Sequence, residues 1–240
     1  MVVGQRNKMN LLKKIYYQKY TKKTYSLTGV DLIIDHLFKN ISKGLYIDVG
    51  CNHPIKFNNT YLLYKRGWSG INIDSDFDSI KLFNKFRSND FNVRNIVSED
   101  ENVKKLYLYH KRSALNTLNK DLVDSRTSKP SKIIEEKSVT LNKIIEDSPY
   151  NNSKINLLSV DIENHEFEAL NNFNFSKYKV EMLVVESTDT SLKKLEMYNQ
   201  SLDFITKSKV YNLIVKNDYK LINWIHSDLV FVRNYFCQTE

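Results

Sequence analysis

A chain of 240 residues with 41% hydrophobic side chains can bury one sizeable core and is too apolar to stay disordered. No apolar run reaches the length of a membrane span, no signal-peptide pattern opens the chain, and Cys51 and Cys237 lie too far apart in sequence to suggest a metal-ligand pair, so a reduced, cytoplasmic protein is expected. With 36 Lys and Arg against 28 Asp and Glu, the net charge is +8, which admits nucleic acid, a membrane surface or an acidic substrate as partner.

The basic excess is uneven. Arg6, Lys8, Lys13, Lys14, Lys19, Lys22 and Lys23 all precede the first acid, Asp31. Leu12, Ile15 and Tyr16 stand at helical spacing there, which predicts a helix over 8–24 within a basic extension covering 1–28, followed by a single domain over 29–240. That helix either packs its apolar stripe on the domain with its lysines in water, or docks on anionic lipid or a phosphorylated acceptor. A second helix is expected over 29–40, with Val30, Ile33, Ile34, Leu37 and Phe38 on one face.

A strand–loop–helix–strand unit follows. Its first strand, 45–49, carries Asp48 two residues before Gly50, and its second, 71–74, ends in Asp74, 26 residues after Asp48. Asn58 or Asn59 is placed to cap the intervening helix, and Gly67 suits its left-handed stop. Further on, the pattern predicts a helix over 77–88, strands over 91–97 and 104–109, and a polar loop over 110–138 that could cover a site. Thr140 opens another helix. A near-continuous apolar strand, 155–160, runs into Asp161, a helix begins near Phe167, and a second buried strand, 180–185, runs into Glu186. A helix over 191–207 and strands near 210–216, 219–224 and 228–233 close the chain. Asp147-Ser148-Pro149-Tyr150, although it resembles the Asp-Pro-Pro-Tyr signature of amino-group methylation on nucleic-acid bases, precedes a strand where that signature follows one, and reads as a turn.

Alternating strands and helices predict a doubly wound α/β sheet, mostly parallel, with an antiparallel edge. In such sheets ligands bind outside the carboxyl ends of the strands, so Asp48, Asp74, Asp161 and Glu186 are expected along one rim. An acid ending the second strand of a βαβ unit suits the hydroxyls of a ribose, hence a nucleoside cofactor. The loop Gly50-Cys51-Asn52-His53-Pro54 lacks the three glycines that let backbone approach a pyrophosphate. S-adenosylmethionine, which has no phosphate, fits it better than a dinucleotide.

In these motifs the chain resembles the FkbM family of S-adenosylmethionine-dependent methyltransferases. The likeness rests on Tyr46-Ile47-Asp48-Val49-Gly50-Cys51-Asn52, Asn59-Thr60-Tyr61-Leu62 with Gly67-Trp68, and Gly70-Ile71-Asn72-Ile73-Asp74. It extends to Leu158-Ser159-Val160-Asp161-Ile162-Glu163-Asn164-His165-Glu166 and Val184-Val185-Glu186. The resemblance implies a class I methyltransferase (Rossmann-like) fold with a seven-stranded sheet. It implies that Asp48, Gly50 and Asn52 hold the methionine part of the cofactor, Asp74 the ribose, and the 95–99 region, Ser98 included, the adenine, with Asn59, Thr60 and Asp161 also among the cofactor-binding residues. The implied activity is O-methylation of a small acceptor, a sugar hydroxyl or sugar nucleotide in surface-polysaccharide or glycan biosynthesis. A nucleic-acid (RNA) methyltransferase and a non-catalytic cofactor-binding protein are the alternatives; no recognisable nucleic-acid-binding module supports the first.

His165, whose ordinary pKa lies near neutrality, is the natural candidate base and His53 a second; Asp161 and Glu163 complete the candidate catalytic set. Asp161, Glu163 and Glu186 have the chemistry either to bind Mg²⁺ or to orient the acceptor by hydrogen bonds. Two positions depart from the family pattern. His53-Pro54 replaces a common x-Gly, and Asn164 stands where glycine is usual, although asparagine tolerates a left-handed turn.

Overall fold

The computed structural model describes residues 11–189 and 200–236. The expected helical residues 8–10 and 191–199, the basic residues before 11 and Cys237 lie outside them. In chain order the described elements are α1 (Leu11–Gln18), α2 (Val30–Leu37), β1 (Leu45–Val49), α3 (Tyr61–Lys65), β2 (Ser69–Asp74), α4 (Phe77–Phe86), β3 (Phe91–Arg94), β4 (Ile96–Val97), β5 (Val103–Leu108) and α5 (Lys120–Ser125). They continue with β6 (Lys132–Val139), α6 (Leu141–Asp147), β7 (Leu157–Val160), α7 (Glu166–Asn171), α8 (Phe175–Tyr178), β8 (Met182–Glu186), α9 (Leu202–Lys207), α10 (Lys209–Lys216), β9 (Tyr219–Ile225) and β10 (Asp228–Arg233).

Seven strands form one sheet in the order β3-β2-β1-β7-β8-β10-β9. Six of them run in one direction, and β10 alone is reversed, pairing antiparallel with both β8 and β9 at one end of the sheet. Side chains on a strand alternate between faces, and the two cores follow that period. Ile47, Val49, Leu158, Val160, Leu183 and Val185 pack on one side with Ile144, Leu170 and Ile214. Tyr46, Leu157, Met182 and Val184 pack on the other with Val30, Ile34, Phe38 and Trp68. The parity puts Asp48 on the second face, level with Asn72 and Ser159 of its neighbours. This polar row bears directly on the site.

Several expectations are corrected. Residues 210–216 form helix α10: Ser208 Oγ accepts a hydrogen bond from the Tyr211 N–H, and Val210 and Ile214, one turn apart, are both buried. The 110–138 stretch is more than a loop. It contains α5, capped by Asn119, and β6, which pairs antiparallel with β5 from Val103↔Lys137 to Leu108↔Lys132. Most β6 side chains remain at least partly exposed, so the strand lacks the apolar alternation that would betray it. The strand read over 91–97 breaks at Asn95, and β4 joins β6 and β5 in a separate three-stranded sheet. Neither Asn58 nor Asn59 occupies the cap position of α3; Thr60 does, its N–H donating to Asn58 Oδ1 at 3.0 Å. Helix α1 is shorter than expected within the described residues, and its Ile15, Tyr16 and Tyr17 side chains are exposed. No helix among the described residues is long and apolar enough to cross a membrane.

Candidate active site

At the carboxyl ends of β1, β2, β7 and β8 lies a cavity of about 240 Å³. Thr28, Ser113, Ala114, residues 116–118 and the β9–β10 turn complete its wall. Of the residues expected from the sequence, Gly50, Asn52, Asn59, Asp74, Asp161, Glu163, His165 and Glu186 line it. Asp48, Thr60 and Ser98 do not line it.

One end is built by the loop after β1. The Gly50 and Cys51 N–H groups both donate to the Ile73 carbonyl, at 2.9 and 3.1 Å, which folds the loop over β2. Gly50 adopts φ +80°, and a Cβ there would sit 1.7 Å from the Asp161 carbonyl oxygen, so only glycine allows the β1 and β7 ends to approach this closely. Asp74 receives the Asn52 N–H on Oδ2 at 2.8 Å and the Asp76 N–H on Oδ1 at 2.7 Å. Burial pushes its pKa up to about 6 against the pull of those two bonds. Each oxygen keeps a lone pair for a further donor. Asn95, Ile96 and Val97 line the wall beside it.

Asp48 and Thr60 lie beneath this loop, because the strand parity turns Asp48 away from the cavity. Asp48 Oδ2 accepts hydrogen bonds from Asn58 Nδ2 (2.9 Å) and Thr60 Oγ1 (2.8 Å). Behind them the fully buried Arg87 donates to Thr60 Oγ1 (2.8 Å), Asn58 Oδ1 (2.6 Å) and the Pro54 carbonyl (2.9 Å). Desolvation raises the Asp48 pKa, and Arg87 is the first influence opposing it. His53 also serves the loop: its Nδ1 accepts from the Ile55 and Lys56 N–H groups at 3.1 and 3.0 Å.

The other end is acidic. Asp161, Glu163 and Glu186 each offer a carboxylate oxygen within 4.8 Å of the others, a set that could hold a cation. Asp161 is open to the cavity yet hemmed in by protein. Burial, then repulsion by Glu186 and a hydrogen bond with it, hold its carboxyl well above the ordinary range. Glu186 rises to about 8 through burial and the charges of Glu166 and Glu163. Glu163 rises to about 7, from burial and Asp161, although Arg126 forms a short ion pair with it. Glu163 and Asn164 take φ of +58° and +65°, so the asparagine occupies a left-handed turn as expected. The turn is held from inside by Glu166, which is buried and accepts the Ile162 and Asn164 N–H groups at 2.9 and 3.2 Å.

His165 precedes α7 without capping it by its side chain. Its Nε2 lies 3.1 Å from Ser98 Oγ and its Nδ1 3.6 Å from Glu168 Oε2, and burial lowers its pKa. Ser98 itself is fully buried, which places it behind the histidine.

The sequence reading missed Thr28, Thr117, Ser227 and Asp228, all of which line the cavity. Thr28 Oγ1 donates to Asp228 Oδ2 at 2.7 Å across 200 residues of chain. Asp228 starts an antiparallel strand, so its amino end, not its carboxyl end, reaches the rim; attention to strand termini alone passes over it. Thr117 Oγ1 donates to the Glu163 carbonyl (2.7 Å) and Asn119 Nδ2 to the Asn164 carbonyl (2.9 Å), clasping the 113–119 segment onto the acidic turn.

Comparison with curated proteins and with solved structures returned no match. The FkbM methyltransferase domain model matches residues 48–213, from the strand bearing Asp48 through the acidic turn and into α10. A class I sheet order, a single-glycine loop beside a hydrogen-bonded strand-terminal acid and a match over more than half of the chain together establish that the protein belongs to the FkbM family of methyltransferases.

Proposed function

We propose that the enzyme transfers a methyl group from S-adenosylmethionine to a hydroxyl of a small polyhydroxylated acceptor, most simply a sugar. The observation that carries this reading is the acidic chamber of Asp161, Glu163, Glu186 and Asp228 beside the Asp74 end of the cavity. Its carboxyl oxygens suit a ligand rich in hydroxyl groups, since they accept hydrogen bonds when ionised and can also donate when protonated. When bound, S-adenosylmethionine supplies a methyl carbon activated by positively charged sulfur, which leaves as a neutral thioether when the acceptor oxygen takes that carbon.

Asp74 accepts the ribose hydroxyls, and Asn95, Ile96 and Val97 bound the space beside it for the adenine. Glu163 takes the proton of the acceptor hydroxyl as the new oxygen–carbon bond forms, a role suited to a carboxylate whose pKa lies at about 7. Asp161 and Glu186 hold the neighbouring hydroxyls. His165, engaged through Ser98 and Glu168, positions the turn that carries Glu163. We assign the three carboxylates to the acceptor and not to Mg²⁺, because Arg126 already sets a positive charge against Glu163 and Asp161 shares a hydrogen bond with Glu186.

Calorimetry should detect binding of S-adenosylmethionine and its demethylated product, weakened at least tenfold by Asp74→Ala. Transfer of labelled methyl to a panel of sugars and sugar nucleotides should survive a chelator. Glu163→Gln should lower kcat by about 10²–10⁴-fold with little change in cofactor affinity. Methylation of RNA but of no sugar, or a Glu163→Gln enzyme within twofold of wild type, would overturn the assignment.

A further inference from the structure

The segment that leads into the cavity wall carries a surface for which the methyl-transfer chemistry has no use. On α1 and just beyond it, Ile15, Tyr16, Tyr17 and Tyr20 are 50%, 58%, 53% and 72% exposed, although three of the four are aromatic. Tyr16 packs on Tyr20 and Tyr17, with ring centroids 5.2 and 6.1 Å apart, so the aromatic groups form one patch. Lys13, Lys19, Lys22 and Lys23 are exposed around it, and no acid occurs between residues 11 and 30. The first acid, Asp31, is buried and turned inward to Thr24, Ser26 and the Tyr25 N–H.

The basic and aromatic character continues to the mouth of the cavity. Lys23 and Lys65 lie 5.1 and 5.2 Å from the Tyr25 ring, and the Tyr25 carbonyl accepts the Asn58 N–H at 3.1 Å. That bond brings the segment against Lys56 and Phe57, which stack at 4.5 Å. Phe57 and Leu27 line the cavity while remaining 60% and 67% exposed.

We propose that this face docks on an anionic membrane surface and turns the mouth of the active site toward the lipid headgroups. Lysines around exposed aliphatic and aromatic side chains suit a headgroup boundary, where apolar groups leave water and the ammonium groups meet phosphate. A nucleic acid would satisfy the lysines but give no burial to Ile15 or Leu27, which favours lipid. Each lysine held near an anionic leaflet contributes a factor of about five in binding.

The test is sedimentation of the full chain with vesicles of phosphatidylcholine alone or mixed with phosphatidylglycerol. Only the mixed vesicles should carry the protein down, less so as salt is raised. A Lys19→Glu/Lys22→Glu/Lys23→Glu variant should lose about a hundredfold or more in binding. Tyr16→Ser/Tyr20→Ser should weaken the part that survives high salt. Both variants should keep the wild-type thermal midpoint and far-ultraviolet dichroism, which separates lost docking from lost folding. Equal binding to neutral vesicles, wild-type binding by the folded triple variant, or binding of homopolymeric RNA with no binding of either vesicle would overturn the proposal.

Discussion

Replacing Arg87 by methionine tests whether the cofactor loop rests on a buried charge. The guanidinium is fully buried, donates to Pro54, Thr60 and Asn58, and lies 5.1–5.3 Å from the rings of Phe83, Tyr61 and Tyr64. Methionine fills much of the volume but takes a donor from the Pro54 carbonyl, Thr60 Oγ1 and Asn58 Oδ1, of which only Asn58 Oδ1 keeps another, the Thr60 N–H, and it leaves Asp48 without its nearest positive charge. Unmatched buried acceptors cost about 1–3 kcal/mol each, and removing one partner of a buried charged network costs about 3–5 kcal/mol overall. We take about 4 kcal/mol, a large part of the 5–15 kcal/mol typical of a domain. The Asp48 pKa is already raised from its ordinary 3.8, so the folded state binds the proton more tightly than the unfolded chain. Stability is therefore lost as pH rises through the folded value, and losing Arg87 pushes that value higher. Urea titrations should show a deficit larger at pH 8 than at pH 5. Asp48→Asn should cost at least 1 kcal/mol less in the Arg87→Met background than in wild type, because Asn58 and Thr60 couple the two groups. A deficit below 1 kcal/mol, or additive effects with no pH dependence, would refute the reasoning.

Three other outcomes follow from the site. Gly50→Ala should abolish cofactor binding in calorimetry and lower the melting temperature, since its Cβ would collide with the Asp161 carbonyl at a left-handed φ. Cofactor affinity should fall as pH drops below about 6, where Asp74 takes up a proton and loses acceptor strength; an Asp74→Asn protein should bind weakly at every pH, without that inflection. Arg126→Gln should move the acidic limb of the kcat–pH profile upward, because Glu163 loses the cation that holds its pKa down to about 7, and an unmoved limb would remove Glu163 from the proton-transfer step.

What the sequence disclosed was the part written in strong periods. The apolar runs into Asp161 and Glu186, and the βαβ unit from Leu45 to Asp74, needed no tertiary information to place. What it concealed had weaker signals. Strand β6 is held by pairing with β5 and not by an apolar face. Helix α10 is only eight residues long, where apolar clusters of either period look alike. Asp48 was assigned to the rim by its place near a strand end, but alternation decides which way a strand residue points, and its parity matches Tyr46 and not Val49. The Thr28–Asp228 contact was beyond sequence reasoning altogether, since nothing local marks two residues 200 positions apart as neighbours.

That same contact has a consequence for how the enzyme comes into being. The strands bearing Asp74 and Asp161 are made well before Asp228, so a growing chain can assemble the cofactor loop while one wall of the reaction chamber is still missing. The wall closes only when the final hairpin inserts β10 beside β8 and brings Asp228 under Thr28. Such a long loop closure comes at an entropic cost that favours its being a late step in folding. The chamber is thus completed last, after the cofactor loop, and cofactor binding is expected to precede acceptor turnover as the protein folds.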